Sequence, residues 1–305
     1  MKTIRLIPIL ALSAVALILS CSKDGDSNVI FSDINLGKYE SRLEVPRLQA
    51  NGTLFIQHST KVGNDSVMTF CLEYNPVKNH SRWIAFRFDG KTRDLGSGRT
   101  DAWADDPKLA KKYQIGSGYF TSYKPDQSTS ENRISYSRGH LCASYDRQYS
   151  KEANRQTFYM TNMSPMQSRF NGNYWTAFEQ YVQALGRDAS FADTLYVVKG
   201  GTLDQTQGTV KSSGGFSVVI PKYYFIALMR FKAGAYSAIG FWVEHKDYGY
   251  SGNNYAPSYV VSDKAINIDA LEAKTGIDFF HNLPNLTEDA IESEDIETLK
   301  TEWFK

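Results

Sequence analysis

The side chains best suited to chemistry gather between positions 134 and 179. In Ile134-Ser135-Tyr136-Ser137-Arg138-Gly139-His140-Leu141 an extended backbone puts Arg138 and His140 on one face, and Gly139 between them offers no side chain to obstruct a ligand. That pairs a cation with a base. Hydrolysis of a phosphodiester needs both: an imidazole that takes a proton from attacking water, and a guanidinium that grips phosphate oxygens in a bidentate fork. A histidine beside a glycine is more often a hydrogen-bonded structural residue, so the pair needs support from elsewhere in the chain.

Support lies downstream. Residues 157–162 read as a second strand, 163–167 as a turn, and a helix follows with Asn171 near its start. Tyr174, Trp175, Phe178, Tyr181, Val182 and Leu185 recur at helical spacing, with Gly186 placed as a terminator. The order strand, strand, helix sets His140 and Asn171 across a small gap in which a metal ion could face a scissile phosphate. A neutral carboxamide oxygen suits Mg²⁺ when the ion keeps several waters and takes its remaining ligand from the substrate.

Ser137-Arg138-Gly139-His140, Thr161-Asn162-Met163-Ser164-Pro165, Phe170-Asn171 and Trp175-Thr176-Ala177-Phe178-Glu179 together resemble the DNA/RNA non-specific endonuclease family, of ββα-metal (His-Me finger) type. The spacing is kept, nine residues from Asn162 to Asn171 and eight from Asn171 to Glu179. Further similarity at Trp83-Ile84-Ala85-Phe86, Tyr196-Val197-Val198-Lys199-Gly200 and Leu271-Glu272-Ala273-Lys274-Thr275-Gly276 extends the resemblance over most of residues 70–285. It implies an α+β fold with a mixed, mainly antiparallel sheet core carrying the ββα-metal motif. His140 would activate the water, Asn171 would be the direct ligand of Mg²⁺ (Mn²⁺ substituting), Arg138 would contact the phosphate, and Asn162 and Glu179 would support the site. On a continuous helix Glu179 lies ~12 Å and ~80° from Asn171, so it should act through water. The family's upstream arginine matches Arg99, in Arg99-Thr100-Asp101-Ala102-Trp103, better than Arg93. Where the family usually carries an Asp, this chain has Ser137, which removes negative charge from beside the substrate phosphate.

The elements that must position these residues are mostly strands. Alternating or apolar runs predict strands at 53–58, 68–74, 83–88, 157–161, 195–199, 217–220, 225–231 and 238–243, and a short helix at 268–274 before Gly276. No internal repeat or linker divides the chain. A hydrophobic content of 42% over 305 residues excludes disorder. Lys2 and Arg5 precede an apolar run ending Ile18-Leu19-Ser20-Cys21, which resembles a bacterial lipobox. The expected organisation is a lipoprotein signal peptide at 1–20, a polar tether at 21–44 with lipid on Cys21, and an endonuclease domain at 45–305. That places the protein on the outer membrane of a Gram-negative envelope, anchored by its lipid.

Charge adds little, since 34 Lys+Arg against 33 Asp+Glu give +1, and loss of residues 1–20 turns this to −1. Any polyanion site must be local. Six basic residues between Lys78 and Arg99 could meet phosphates or simply be solvated, while the segment from Thr287 to Lys305 is acidic. His58, His80, His245 and His281 form no metal spacing and read as structural or exposed. Cys71 and Cys142 are the thiols left once Cys21 is lipidated; an oxidising envelope favours a bridge between them over two buried free thiols. The expected substrates are DNA and RNA. The competing reading is a catalytically weak or inactive surface lipoprotein that binds a polymer, nucleic acid or glycan, through its 19 Tyr and 5 Trp. The sequence leaves a homodimer open and points to no protein inhibitor.

Overall fold

The computed structural model describes residues 42–49, 52–121, 134–251 and 258–304. Cys21, the signal segment and most of the tether lie outside them. Among the described residues no helix is long and apolar enough to cross a membrane. Residues 42–44, expected at the end of the tether, already belong to the fold: Glu44 is fully buried and accepts from Arg42 Nε at 3.0 Å.

Seven strands form one antiparallel sheet: β1 (Leu54–Val62), β2 (Asp65–Asn75), β3 (His80–Phe88), β6 (Thr194–Gly201), β9 (Tyr223–Lys232), β10 (Ala235–Glu244) and β11 (Ala265–Ile266), in that spatial order. Their alternating side chains feed two cores, one on each face. On one face Phe70, Leu72, Ile84, Phe86, Val197, Ile226, Leu228 and Phe241 pack against Phe178 and Val182 of helix α2 (Thr176–Arg187) and against Leu299 and Trp303 of α6 (Ile296–Trp303). On the other, Cys71, Trp83, Ala85, Val198, Phe225 and Met229 pack against Ile268 and Leu271 of α4 (Ile268–Thr275) and Ile291 of α5 (Asn285–Glu292). Helix α4 has the caps its sequence announces. Asn267 accepts from the Ala270 amide at its start, and Gly276 ends it with φ of 61°, a left-handed conformation that favours glycine.

The segment that carries the motif lies outside the main sheet. Strands β4 (Tyr136–His140) and β5 (Met163–Gln167) pair antiparallel, with Arg138 opposite Pro165 and His140 opposite Met163. A free-edged two-stranded ribbon tolerates a proline. A smaller ribbon joins β7 (Thr206–Lys211) to β8 (Ser217–Pro221).

Two expectations fail here. The second strand of the motif is 163–167, not 157–161, because the latter segment is pulled short. Helix α1 (Lys151–Gln156) runs into it, Thr157 Oγ1 donates to the Asn154 carbonyl at 2.7 Å, and a 3-10 turn follows at Met160–Asn162. Gly186 does not end the helix, which continues to Arg187. A Cβ there would lie 2.4 Å from the Phe88 ring, so the residue is small to let the helix approach the sheet.

The expected Cys71–Cys142 bridge is also absent: both thiols are free and buried. Cys71 belongs to the core beneath α4 and α5, while Cys142 belongs to the core on the opposite face. A seven-stranded sheet separates them.

Candidate active site

The ββα segment lines a cavity of about 1420 Å³. Arg138 and His140 enter it from β4, Arg99 and Trp103 from the preceding loop, Tyr119 and Phe120 from a second loop, and Asn171, Thr176 and Glu179 from the helical arm.

His140 is 8% exposed, set edge-on to Phe158 at a ring separation of 5.1 Å and beside Trp103 at 5.5 Å. Its Nε2 has no hydrogen-bond partner. Burial, then the positive charges of Arg99, Arg138 and Lys199, push the imidazole pKa down to about 3, so the ring is neutral and its free nitrogen can accept a proton. Arg138 is held flat, its guanidinium 3.5 Å above the Trp103 ring and Nη1 donating to the Ser117 carbonyl at 2.5 Å. Arg99 lies over Phe158 at 4.8 Å and donates to Asp101 at 2.8 Å. Arg93 is elsewhere, donating to the carbonyls of Ala192 and Asp193 at 3.1 and 2.6 Å.

Gly139 serves packing rather than ligand access. A Cβ on it would come within 2.4 Å of Cγ and Sδ of the buried Met166, so the opening it provides faces the core. Ser137 Oγ lies 2.8 Å from Ser168 Oγ, which ties β4 to the end of β5 by a neutral contact.

The helical arm is not regular. Phe170–Trp175 forms a π-helical turn before α2, and Thr176 Oγ1 donates to the Asn171 carbonyl at 2.9 Å. Such a turn absorbs about one extra residue, so the eight-residue interval from Asn171 to Glu179 behaves like roughly seven residues of α-helix, a rotation of ~20° instead of ~80°. Both side chains consequently line the cavity. Glu179 is pushed up to about 7 by burial, with Asp146 adding to the rise and Lys199 and Arg99 opposing it.

Asn162 lies behind the site rather than in it. Fully buried, its carboxamide accepts from the Cys142 amide at 2.8 Å and donates to the carbonyls of Cys142 and Thr157 at 2.9 and 2.6 Å. It fixes the loop that follows His140, which makes it a positioning residue.

Several supporting groups escape a sequence reading. Lys199 and Asp146 form an ion pair of 3.2 Å with neither side chain exposed, and Asp146 also accepts from Gln183 at 2.9 Å. A lysine inside the apolar run of β6 was the available signal. His80 Nε2 lies 2.6 Å from Ser164 Oγ, itself 2.6 Å from the Tyr224 hydroxyl, which anchors β5 to the main sheet. His58 meets Asp106 at 2.8 Å, and His245 accepts from the Gln167 amide at 2.8 Å. These histidines are structural, as expected.

A hard divalent cation fits the oxygen donors present. The Asn171 carboxamide and the Glu179 carboxyl line the same cavity. One neutral and one acidic oxygen donor leave room for waters and a phosphate oxygen.

Comparison with known proteins gives the family. A family model described as DNA/RNA non-specific endonuclease matches residues 51–286. The chain is 26% identical over 159 residues to the mitochondrial Nuclease 1 of Schizosaccharomyces pombe, covering 49% of this chain and 47% of the relative. It is 23% identical over 218 residues to bovine mitochondrial Endonuclease G (70% and 68%), and 27% identical over 231 residues to a nuclease of Nostoc (73% and 75%). Against the Schizosaccharomyces pombe nuclease and the mitochondrial nuclease EXOG of Xenopus laevis, to which the chain is 26% identical over 226 residues, the match spans about half of their length, 47% and 56%. A chain in the crystal structure of the EndoG/EndoGI complex superposes with a TM-score of 0.58 at 15% identity, over 87% of this chain and 99% of that one, which shows a shared fold. The motif, the ββα geometry around His140 and a family match over most of the sequence lead to one conclusion: the chain belongs to the DNA/RNA non-specific endonuclease family.

Proposed function

We propose that the protein is a divalent-metal-dependent, sugar-non-specific endonuclease acting on DNA and RNA. The observation that carries this is the unpartnered Nε2 of a buried, neutral His140 in the same cavity as Arg138, Arg99, Asn171 and Glu179. His140 accepts a proton from water as the water attacks phosphorus. Arg138, braced on Trp103 and Ser117, presents its remaining N–H groups to the phosphate, and Arg99 adds positive charge where it develops. Asn171 would hold Mg²⁺ or Mn²⁺ directly and Glu179 would act through water; the ion when bound supplies Lewis-acid polarisation of the phosphate and its leaving oxygen. Phosphate contacts carry little base information, which suits a non-specific enzyme.

The test is digestion of circular plasmid and of RNA, with and without EDTA. Internal cleavage of both, abolished by chelation, is expected. His140→Ala should lose ~10²–10⁴-fold in turnover, and Asn171→Ala a comparable amount that raised Mg²⁺ partly restores. Undiminished cleavage in EDTA, release of mononucleotides from ends only, or near-normal turnover in His140→Ala would refute the assignment. Binding without turnover would favour the polymer-binding lipoprotein.

The same proposal places the enzyme on the outer membrane through lipid on Cys21, supported by the Ile18-Leu19-Ser20-Cys21 sequence. Cys21→Ser should release it to the soluble fraction, and retention after a carbonate wash would refute the anchor.

A further inference from the structure

Asp269, Glu272 and Glu292 converge far from the motif, two on α4 and one on the last turn of α5. One carboxylate oxygen from each can be chosen so that all lie within 4.8 Å of one another. Ca²⁺ binds oxygen at about 2.3–2.6 Å, so two of its ligands can be up to about 5.2 Å apart. The three acids have the spread of ligands on one such ion.

Proximity of acids is common on protein surfaces, but Glu292 is not on the surface. It is 6% exposed, and its Oε1 has no hydrogen-bond partner. A buried carboxylate oxygen without partner is costly, and buried charges are paired or bind metal. Among the described residues none of the three acids is in an ion pair. The charges that act most strongly on Glu292 are Glu272, Glu288, Asp269 and Asp278, all negative, and Arg47 is paired with Asp278 at 2.5 Å. Glu272 is partly fixed, one oxygen accepting from the Phe279 amide at 2.6 Å. Asp269 is exposed, which gives a hydrated ion a way in and leaves positions for its waters.

We propose that Asp269, Glu272 and Glu292 form a second divalent-cation site, suited to Ca²⁺, which clamps α5 to α4 on the sheet face opposite the catalytic cavity. Oxygen-only, anionic and irregular, the donor set matches the flexible coordination of Ca²⁺ better than the strict octahedron of Mg²⁺. The ion would neutralise the acids and tie the C-terminal helices to the core that holds Ile268, Leu271 and Ile291. The rival arrangement is a shared proton: without a cation, burial and neighbouring acids push Glu292 up to about 9 and Glu272 to about 7.

Thermal unfolding of the full chain, freed of metal and titrated with CaCl₂, separates the two. A saturable rise of a few degrees is expected, since an ion that binds only the folded state stabilises it. Asn171→Ala should retain the rise, because it removes only the ligand in the catalytic cavity, and Glu292→Gln added to Asn171→Ala should abolish it. Should Glu292→Gln fold poorly, the exposed Asp269→Asn provides the second variant in the same background, and its half-saturating Ca²⁺ should increase about tenfold or more. A melting temperature indifferent to Ca²⁺, an equal rise when Glu292→Gln is added, an unchanged midpoint when Asp269→Asn is added, or loss of the rise in Asn171→Ala would each overturn the proposal.

Discussion

Replacing His140 by Gln should change how stability depends on pH, by an amount the structure sets. An unfolded histidine titrates near 6.5, whereas burial, Arg99, Arg138 and Lys199 hold the native ring at about 3. Between those values the unfolded chain binds a proton that the native protein does not. Stability from this group is therefore complete above pH 6.5 and is lost as pH falls towards 3. From pH 8 to pH 5 the loss is ~1.36 kcal/mol for each of about 1.5 units below 6.5, or ~2 kcal/mol. Groups shared by both proteins cancel in the comparison. Urea unfolding in EDTA, at pH 8 and pH 5, should show the wild type losing ~2 kcal/mol more than His140→Gln. A difference independent of pH would mean that His140 titrates as an exposed histidine does, and the argument for a permanently neutral base would fail. Catalysis provides the counterpart. A base of pKa 6.5 would be ~3% neutral at pH 5, a ~30-fold handicap, whereas one near 3 stays neutral. Glu179, raised to about 7 in the metal-free cavity, should instead show in cation binding: Mg²⁺ affinity should weaken below pH 7, and this pH dependence should flatten in Glu179→Gln.

Gly139→Ala should cost ~1–3 kcal/mol in urea unfolding, because its methyl meets buried Met166; a neutral result would show that the ribbon can shift. Lys199→Met leaves Asp146 buried without its cation and should cost ~3–5 kcal/mol, much of it recovered in a Lys199→Met, Asp146→Asn double variant. Denatured but unreduced protein should be alkylated at both Cys71 and Cys142, and reductant should leave the melting temperature unchanged. A mass gain of two hydrogens on reduction would restore the bridge.

By itself the sequence determined what its local periodicities encode. The strands are visible as alternating or apolar runs: β1 alternates, whereas β6, β9 and β10 are apolar on both sides because both faces of the sheet are covered. The caps of α4 are legible as well, since Asn267 and Gly276 act on backbone within one turn. His140, Arg138, Asn171 and Glu179 follow from the resemblance to the family and Arg99 over Arg93 from its sequence context, and all five residues line the cavity. Tertiary structure decided the rest. Residues 157–162 look like a strand and 163–167, with Ser164 and Pro165, like a turn; the structure reverses the two, with Asn162 bonding to Cys142, twenty residues away. The register of Glu179 depends on a π-turn that helical spacing conceals. Whether two cysteines can meet depends on which face of the sheet each occupies, and Cys71 and Cys142 occupy different ones. The pairing of Lys199 with Asp146, and the convergence of Asp269 and Glu272 with Glu292, join segments separated in the chain. Periodicity records that a face is covered; it does not record what covers it, because that contact is made by residues whose distance along the chain carries no local signal.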